Sequence, residues 1–476
     1  MSDSPSIHPL KPESQAAASP VPLFGDTEQR FAQELRLAAQ AQRAGRLDEA
    51  IAGYLKLLAV QPHHAEVHNN LGVALRLAGK LEASLAHHQL ALAADPENPA
   101  LQSNLGNALR AAGRLEEAVR HHFKSITLSP TYAEGFFNLA LCLRDLGRLD
   151  EAVGCFGRSL ALHPASRRAK VELALALLMR GDLLTGFAAY EERKRLPETP
   201  QPEFSRPAWD GGPIGGKRIL LHAEQGLSDV LLFIRFAREL KAQGASVLVL
   251  CQAPLKDLLA GADYIDQAVA EGEPLPQFDV HASIVSLPHL CRPDFASPGG
   301  ATPYLRPPAH ARIKLGRLKG TRLSIGIYWS VTAGQAQDRQ RSAPFARFLA
   351  LAGDPELLLF SLQGGAAQKE IQQSGANGVV HDVGRGIFDF AEAASALSQL
   401  DLLISVDAPV THVAAAMGVR TWLLAPPVVD WRWRLGGDQP WYPSLRIFRQ
   451  PRPGDWDSVF ASVRAELALL KETAAR

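Results

Sequence analysis

The residues with the clearest capacity for chemistry lie in a short polar loop, Glu224 to Asp229, between an apolar run and a helical pattern. Gly226 permits a tight turn, and Asp229 stands where a carboxylate could cap the helix that follows. Glu224 and Gln225 complete the loop. From its spacing alone, Asp229 is explained as a helix cap, and the loop is the first place to look for chemistry because it follows the first strand.

The elements around this loop predict where it lies in the fold. Apolar runs at 219–221 and 247–250 flank a helical pattern that carries Phe233 and Phe236. This order of strand, loop, helix and strand is typical of the start of a doubly wound α/β domain. Ligands of such domains bind beyond the carboxyl ends of the strands, near helix N-termini. We therefore expect the loop to lie at a ligand site.

A second series of strand patterns follows at 322–330, 356–363 and 400–407, with helical segments between them. Strands that alternate with helices in both halves predict two Rossmann-like lobes facing a cleft, at 199–315 and 316–476. No G-x-G-x-x-G follows either opening strand, which disfavours a dinucleotide oxidoreductase.

The preceding part of the chain is a repeat. A glycine between two helical patterns returns every 34 residues, at Gly45, Gly79, Gly113, Gly147 and Gly181, and a proline keeps the same step. This period indicates tetratricopeptide repeats over residues 28–198. Because one helical hairpin cannot cover its apolar face alone, the repeats are expected to stack into an α superhelix with a concave groove. Residues 1–27, rich in Ser, Pro and Ala, are expected to form a disordered tail.

The period also changes the interpretation of the histidines. One repeat position holds Tyr54, His88, His122, Phe156 and Tyr190, so the two histidines are interpreted as packing residues rather than metal ligands. The four cysteines lack C-x-x-C spacing, which argues against a zinc site or a disulfide framework. We expect no metal.

Asparagines form a second periodic set, Asn70, Asn104 and Asn138. They resemble the asparagine ladder in the repeats of O-linked N-acetylglucosamine transferase, which implies that the groove could clasp an extended peptide. The alternative is that asparagine is simply a frequent residue at this repeat position.

Composition limits the partners. The 476 residues include 50 Lys plus Arg and 49 Asp plus Glu, a net charge of +1, so no overall field attracts nucleic acid or an anionic membrane. We find no apolar run of about 18 or more residues. The sequence therefore predicts a cytoplasmic protein with neither a membrane span nor a nucleic-acid partner.

Six motifs in order carry a family resemblance: EQGLSD (224–229), YWS (328–330) followed by DRQRS (338–342), SLQ (361–363), DF (389–390), LISVDAPVTHVAAAMG (403–418) and DWRWRLGGDQPWYPSLRIFRQ (430–450). Together they resemble bacterial tetratricopeptide glycosyltransferases whose catalytic region is related to ADP-heptose:lipopolysaccharide heptosyltransferases. The resemblance covers about residues 200–465. It implies a B-type glycosyltransferase fold, with the acceptor mostly on the first lobe and a nucleotide-sugar on the second.

The resemblance implies roles for particular residues. Asp229 matches the position taken as the base, in an inverting transfer that needs no metal and no cofactor beyond the nucleotide-sugar co-substrate. Arg339 and Arg341 could make forked contacts to the diphosphate, with surface charges as the alternative. The cluster Trp431, Trp433, Trp441 and Tyr442 is interpreted as packing rather than as a platform for a sugar.

The donor side is expected to include two strand ends and one turn. The turn Asp407 to Thr411 precedes a helix, whose N–H groups and dipole could face the phosphates. His412 would orient the turn or the sugar, or be a buried core histidine. Ser330 lies in the phosphate-side loop, and Gln363 is the candidate for contact with the nucleoside.

Departures from the family motif leave the function open. Ser228 and Val331 stand where the family has glycine, and Gln335 and Gln337 stand where it has His and Asn. A side chain at either glycine position can block close approach of the backbone to a ligand. The leading hypothesis is a glycosyltransferase whose repeats recruit a protein or glycan acceptor. The alternatives are a scaffold with a degenerate transferase region and an enzyme that hydrolyses or epimerises a nucleotide-sugar.

Overall fold

The computed structural model describes residues 23–293, 295, 302–316, 323–331, 341–433 and 441–474. The chain divides into two compact units, and the boundary falls between Asn138 and Leu139. Most of the expected disordered tail lies outside the described residues, as do Arg339, Gln335 and Gln337 of the predicted donor loop. Across the described ranges, no helix has both the length and the apolar character needed to cross a membrane.

The first unit consists of helical hairpins, as the 34-residue period predicts. Its helices are α1 (Leu23–Arg43), which begins inside the expected tail, α2 (Leu47–Val60), α3 (Ala65–Leu77), α4 (Leu81–Ala94), α5 (Pro99–Ala111), α6 (Leu115–Leu128) and the first part of α7 (Ala133–Asp145). The periodic glycines end the first helix of each hairpin with a positive φ, 75° at Gly79 and 76° at Gly113. Glycine reaches this left-handed conformation without strain, which explains its recurrence.

The histidines of the aromatic repeat position pack inside these hairpins. The ring of His88 lies directly on Gly72 and that of His122 on Gly106, where an added Cβ would come within 2.7 Å of the imidazole. Both rings are buried. Burial, followed by a neighbouring arginine, lowers the pKa of His88 to about 4 and that of His122 to about 3. The prediction that they are packing residues is confirmed.

The second unit contains the rest of α7 and the helices α8 (Leu149–Leu162), α9 (Arg167–Arg180) and α10 (Leu183–Tyr190), followed by both sheets. The expected domain boundary was residue 198, whereas the last repeat helices belong to the same compact unit as the sheets. Phe187 on α10 shows why, since its ring lies 5.7 Å from Phe233 and 5.6 Å from Trp431. These aromatic contacts bury the end of the repeats against the α/β region.

The first sheet is parallel, with strand order β3-β2-β1-β4. Its strands are β1 (Arg218–His222), β2 (Ser246–Cys251), β3 (Gln267–Ala270) and β4 (Val280–Ser283), and its helices are α11 (Leu227–Phe233), α12 (Ala237–Ala242), α13 (Lys256–Ala260) and α14 (Leu287–Cys291). The Pro-rich segment before β1 packs on this sheet, because Trp209 is buried and Phe204 contacts the ring of His281.

The second sheet is also parallel, with strand order β10-β9-β8-β5-β6-β7. Its strands are β5 (Leu323–Tyr328), β6 (Leu357–Ser361), β7 (Val380–Asp382), β8 (Leu402–Val406), β9 (Thr421–Ala425) and β10 (Leu445–Arg449), and its helices are α15 (Phe345–Leu349), α16 (Lys369–Gln373), α17 (Phe390–Leu397), α18 (Pro409–Ala416) and α19 (Trp456–Ala474). Counted from β5, this is the 3-2-1-4-5-6 order of the Rossmann fold. The switch point, where ligands of such sheets bind, therefore lies between β5 and β8.

The two sheets meet through the helices that follow their central strands. Helix α11 follows β1, α18 follows β8, and the two helices pack against each other. Because each helix begins at the carboxyl edge of its own sheet, this contact brings the loops at the two edges together.

Candidate functional site

Asp229 lies at the meeting of the two sheets, and it does not cap its helix. Helix α11 begins at Leu227, and its N-cap is Gly226, which makes no side-chain capping bond. The Asp229 carboxylate instead accepts two hydrogen bonds at Oδ1 from Arg432, one from Nε at 3.1 Å and one from Nη2. The helix-cap interpretation of Asp229 is therefore wrong, because an arginine of the second sheet region holds the carboxylate.

Arg432 is the functional candidate that the sequence reasoning missed. Its Nη1 donates to Asp430 Oδ1 at 2.5 Å, and its guanidinium lies 4.5 Å above the ring of Trp431. Only 14% of its side chain is exposed. Burial disfavours its charge, but Asp430 and Asp229 outweigh this effect and raise the pKa of Arg432. The motif DWRWR carries the signal, an arginine between two tryptophans.

Those aromatic residues pack as predicted. Trp431, Trp433, Trp441 and Tyr442 are all buried. Their contacts include Phe233 stacked on Trp431 at 5.9 Å and Trp433 beside His412 at 4.8 Å. The cluster therefore packs around the short helix Trp431–Trp433, which carries Arg432.

The other polar residues of the first loop bind the repeat end. Both oxygens of Glu224 accept hydrogen bonds of 2.8 Å from Arg193, which follows α10 and is 2% exposed. Burial opposes ionisation, yet the bonds from Arg193 outweigh it and hold the pKa of Glu224 below its usual value. The Gln225 amide donates to the Tyr190 hydroxyl at 3.0 Å. Glu224 and Gln225 thus join the repeats to the loop, and Gly226 begins α11.

The switch-point turn contains Asp407, Thr411 and the start of α18. The Thr411 hydroxyl donates to the Val406 carbonyl at 2.7 Å and lies 2.8 Å from the Ser405 hydroxyl, so it closes the turn. Arg341 Nη1 lies 3.5 Å from Asp407 Oδ2. Burial, and then the charge of Asp430, raises the pKa of Asp407. Arg341 and Asp407 are thus brought together, and their contact with a nucleotide-sugar stays a prediction.

His412 is fully buried in the first half of α18. Its Nδ1 lies 2.9 Å from the Tyr442 hydroxyl, while its Nε2 has no hydrogen-bond partner among the described residues. Burial, followed by the charges of Arg432 and Arg235, lowers the pKa of His412 well below its usual value. The ring is therefore neutral, and of its two nitrogens only Nδ1 has a hydrogen-bond partner among the described residues, the Tyr442 hydroxyl.

Gln363 shapes the Ser330 loop. Its Oε1 accepts from the backbone N–H groups of Trp329 and Ser330, and its Nε2 donates to the carbonyls of Ser330 and Gly364. Because a carboxamide has two donors and a two-fold acceptor, these four bonds occupy it fully. The expected contact to a nucleoside would have to replace one of them. Val331, at the second departure from the family motif, packs against the core of this lobe.

The periodic asparagines bond to neighbouring helices of the first unit. Asn104 Nδ2 donates to Asn69 at 2.9 Å, and Asn138 Nδ2 donates to Ser103 at 3.1 Å. Asn69 in turn donates to Asn70 at 3.5 Å. The asparagines thus link successive repeats, and their binding of a peptide stays a prediction.

Two open depressions of about 620 and 600 Å³ lie elsewhere on the second lobe. The first is lined by Lys314, His381, Asp382 and Arg385, and the second by Arg420, Arg446 and Glu466. Neither includes Asp229, Arg432 or the switch-point turn. Within the described ranges, no group of three His, Cys, Asp or Glu side chains is arranged to hold a metal ion.

Comparison with known proteins supports the repeat assignment. Two models of the tetratricopeptide repeat match, one over residues 35–99 and 85–133 and the other over residues 133–166. The predicted tetratricopeptide repeats are therefore confirmed. In the structure they are followed by an α/β region with two parallel sheets.

Individual relatives are distant. Protein FlbA of Caulobacter vibrioides is 26% identical over 320 residues, which is 61% of this chain and 53% of FlbA. The chain thus spans about half the length of this relative, and an alignment of 320 residues extends beyond the repeats. A tetratricopeptide protein of Thermus thermophilus is 23% identical, with a TM-score of 0.33, over 36% of this chain and 93% of that chain. PilF of Pseudomonas aeruginosa is 21% identical, with a TM-score of 0.35, over 46% of this chain and 88% of that chain.

Proposed function

We propose that the second unit is an inverting glycosyltransferase with the B-type arrangement of two Rossmann-like lobes. One observation carries the proposal. The Asp229 carboxylate, from the carboxyl edge of the first sheet, meets Arg432 beside the switch-point turn of the second sheet. An acid group and cationic groups that converge from two such edges suit a reaction in which a proton leaves an acceptor while an anionic group departs.

The proposed reaction joins an acceptor hydroxyl to a sugar. Asp229 takes the hydroxyl proton as the acceptor oxygen forms a bond to the anomeric carbon. The bond between that carbon and the diphosphate oxygen breaks, and the nucleoside diphosphate leaves with the electron pair. Arg341 and the N-terminus of α18 would stabilise the growing negative charge, so the chain's own groups can perform this role without a metal.

The repeats would recruit the acceptor, a protein or a glycan. Their asparagine amides are the proposed contacts to an extended peptide backbone. The repeat end is also tied to the active loop, because Arg193 binds Glu224 and Tyr190 binds Gln225. Any part of the acceptor that reached the end of α10 would therefore lie close to the proposed base.

The substitution Asp229→Asn tests the proposal. It removes the base but keeps the shape of the side chain, so we expect transfer to fall by about two to four orders of magnitude while donor binding persists. Mass spectrometry of the acceptor measures transfer, and titration calorimetry measures donor binding. Asp257→Asn, an exposed carboxylate of the same lobe, is the matched control and should change neither. An unchanged rate in Asp229→Asn would remove Asp229 from the mechanism.

A binding scaffold is the second candidate, and the Asp229–Arg432 pair favours it, because a carboxylate held by arginine has an oxygen already occupied. Calorimetry against a panel of nucleotide-sugars separates the two functions, since a scaffold should bind none of them. An enzyme that hydrolyses or epimerises the donor would instead form product when no acceptor is present.

A further inference from the structure

We propose that Arg432 is a binding residue for the donor diphosphate, and that the diphosphate takes its guanidinium from Asp229 when it binds. This inference rests on the proposed function, because it assigns a nucleoside diphosphate to the same site. It adds Arg432 to the residues implied by the motifs. It also explains the Asp229–Arg432 pair as the state of the site before the donor binds.

The geometry of Arg432 suits an exchange of partners. Its Nε and Nη2 donate to Asp229 on one side, and its Nη1 and backbone N–H hold Asp430 on the other. The Trp431 ring supports one face of the guanidinium. Asp430 and Trp431 are the two residues before Arg432 in the chain, so their contacts can persist while the two bonds to Asp229 are replaced. The fork that binds Asp229 has the shape that binds phosphate oxygens in pairs.

The surroundings place Arg432 next to the expected diphosphate position. Its charge acts on both Asp407 and His412, the residues that begin and follow the switch-point turn. Arg341 approaches Asp407 Oδ2 at 3.5 Å. The buried His412 Nε2, which has no protein partner within the described ranges, belongs to the same cluster, since its ring lies 4.8 Å from Trp433. A diphosphate at this turn would therefore have two guanidinium groups within its reach.

Charge decides the direction of the exchange. Asp229 and Asp430 pair with Arg432, and Asp407 lies beside Arg341. A diphosphate carries about two negative charges and more acceptor oxygens than one carboxylate, so it is the stronger competitor for a forked guanidinium. When Arg432 turns to the diphosphate, Asp229 loses its cation and both of its oxygens become available to the acceptor hydroxyl. Donor binding would thus precede and enable proton removal.

Calorimetry on the full chain tests this exchange. The probes are ADP, GDP, UDP, CDP and inorganic pyrophosphate, and the tightest binder is carried forward. We expect Arg432→Met to weaken that binder by about tenfold or more, the value of a charge-assisted pair. We expect Asp229→Asn to tighten it by about three- to tenfold, because the competing carboxylate is gone. A purely structural Arg432–Asp229 contact would produce no such tightening.

Two further variants keep the result interpretable. Arg432→Lys retains the charge but not the fork, so it should bind the diphosphate with an intermediate affinity. Arg385→Met, at an exposed arginine beside Asp382, should leave the affinity unchanged. Near-ultraviolet circular dichroism checks that each variant keeps its tertiary structure.

The outcomes separate this inference from the proposed function. If neither the unsubstituted chain nor Asp229→Asn binds any probe, both proposals fail. If the unsubstituted chain binds a diphosphate but Arg432→Met and Asp229→Asn bind it equally well, the transferase proposal stands and the role of Arg432 is refuted. Weaker binding in Asp229→Asn would also refute the exchange, because it would mean that Asp229 assists the diphosphate.

Discussion

Two buried carboxylates of the second unit are each held by an arginine that is distant in sequence. Arg193 with Glu224 and Arg432 with Asp229 are nearly removed from water, and in each case the two partners are more than 30 residues apart in sequence. An unpaired ion in such surroundings costs several kcal/mol, so each charge requires its partner. At this scale, Asp229 and Glu224 could be recognised from the sequence as polar residues near a strand end. Their arginines could not, because a local pattern carries no information about a distant partner.

The Arg193–Glu224 pair is predicted to be a major contributor to stability. Arg193→Met should lower the free energy of unfolding by about 3–5 kcal/mol, because it leaves the Glu224 carboxylate buried without its cation. Chemical denaturation followed by circular dichroism measures the change. Arg148→Met is the control, since Arg148 pairs with Glu151 on an exposed helix surface and should have little effect. Equal stability of the Arg193 variant and the unsubstituted chain would contradict the prediction.

At the scale of the elements, the repeat hairpins are held together by close packing of their first helix on their second. In two of them the second helix places a histidine ring on a glycine of the first, Gly72 or Gly106, with no space for a Cβ. The 34-residue period predicted that these histidines are packing residues, because they share their position with Tyr54 and Phe156, but it did not predict the contacts with glycine. A neutral imidazole substitutes for an aromatic ring only while it stays unprotonated, so the packing depends on pH.

His122 is therefore expected to make the stability of the repeats depend on pH. Its folded-state pKa of about 3 lies below the unfolded value of about 6.5, so its contribution is complete above pH 6.5 and is lost as the pH falls. By pH 4 the loss should reach about 3 kcal/mol. His122→Phe should match the unsubstituted chain at pH 7.5 and lose less stability on acidification.

Thermal unfolding followed at 222 nm between pH 7.5 and pH 4 measures this difference. His163→Gln, at an exposed histidine of the same region of sequence, should leave the pH dependence as it is in the unsubstituted chain. Identical acid sensitivity in His122→Phe and the unsubstituted chain would show that His122 is not responsible.

On the scale of the whole molecule, the boundary between the compact units differs from the boundary between the repeats and the α/β region in the sequence. The boundary falls inside α7, and the later repeat helices share a unit with the two sheets. Phe187 on α10 joins them, because its ring contacts aromatic residues of both sheet regions, Phe233 and Trp441. The repeats therefore end as part of the α/β core, and α9 contacts the short helix Trp431–Trp433 that carries Arg432.

Phe187→Ala should destabilise the second unit selectively. Truncating a buried aromatic side chain at such a junction costs about 3–5 kcal/mol. Hydrogen exchange followed by mass spectrometry should show faster exchange in α10 and α11 and unchanged exchange in α2 to α5. Leu184→Ala on the same helix is the control, since Leu184 is 63% exposed and its loss should change little. Faster exchange throughout both units would contradict the division into two units.

The sequence by itself determined the local elements and their periods. A 34-residue repeat and alternating strand and helix patterns specify tetratricopeptide hairpins and parallel sheets, because helix and strand periods are properties of neighbouring residues. It also identified Asp229, Asp407 and His412 as residues near strand ends.

Only the tertiary structure decided which of these residues meet. Asp229 pairs with Arg432, and Glu224 pairs with Arg193. The Gln363 amide is occupied by hydrogen bonds to the backbone. The reason is physical, since a buried polar atom takes whichever partner the packing of distant elements brings within about 3 Å. That packing results from the contact of α11 with α18 and of Phe187 with both sheet regions, which the local sequence does not encode.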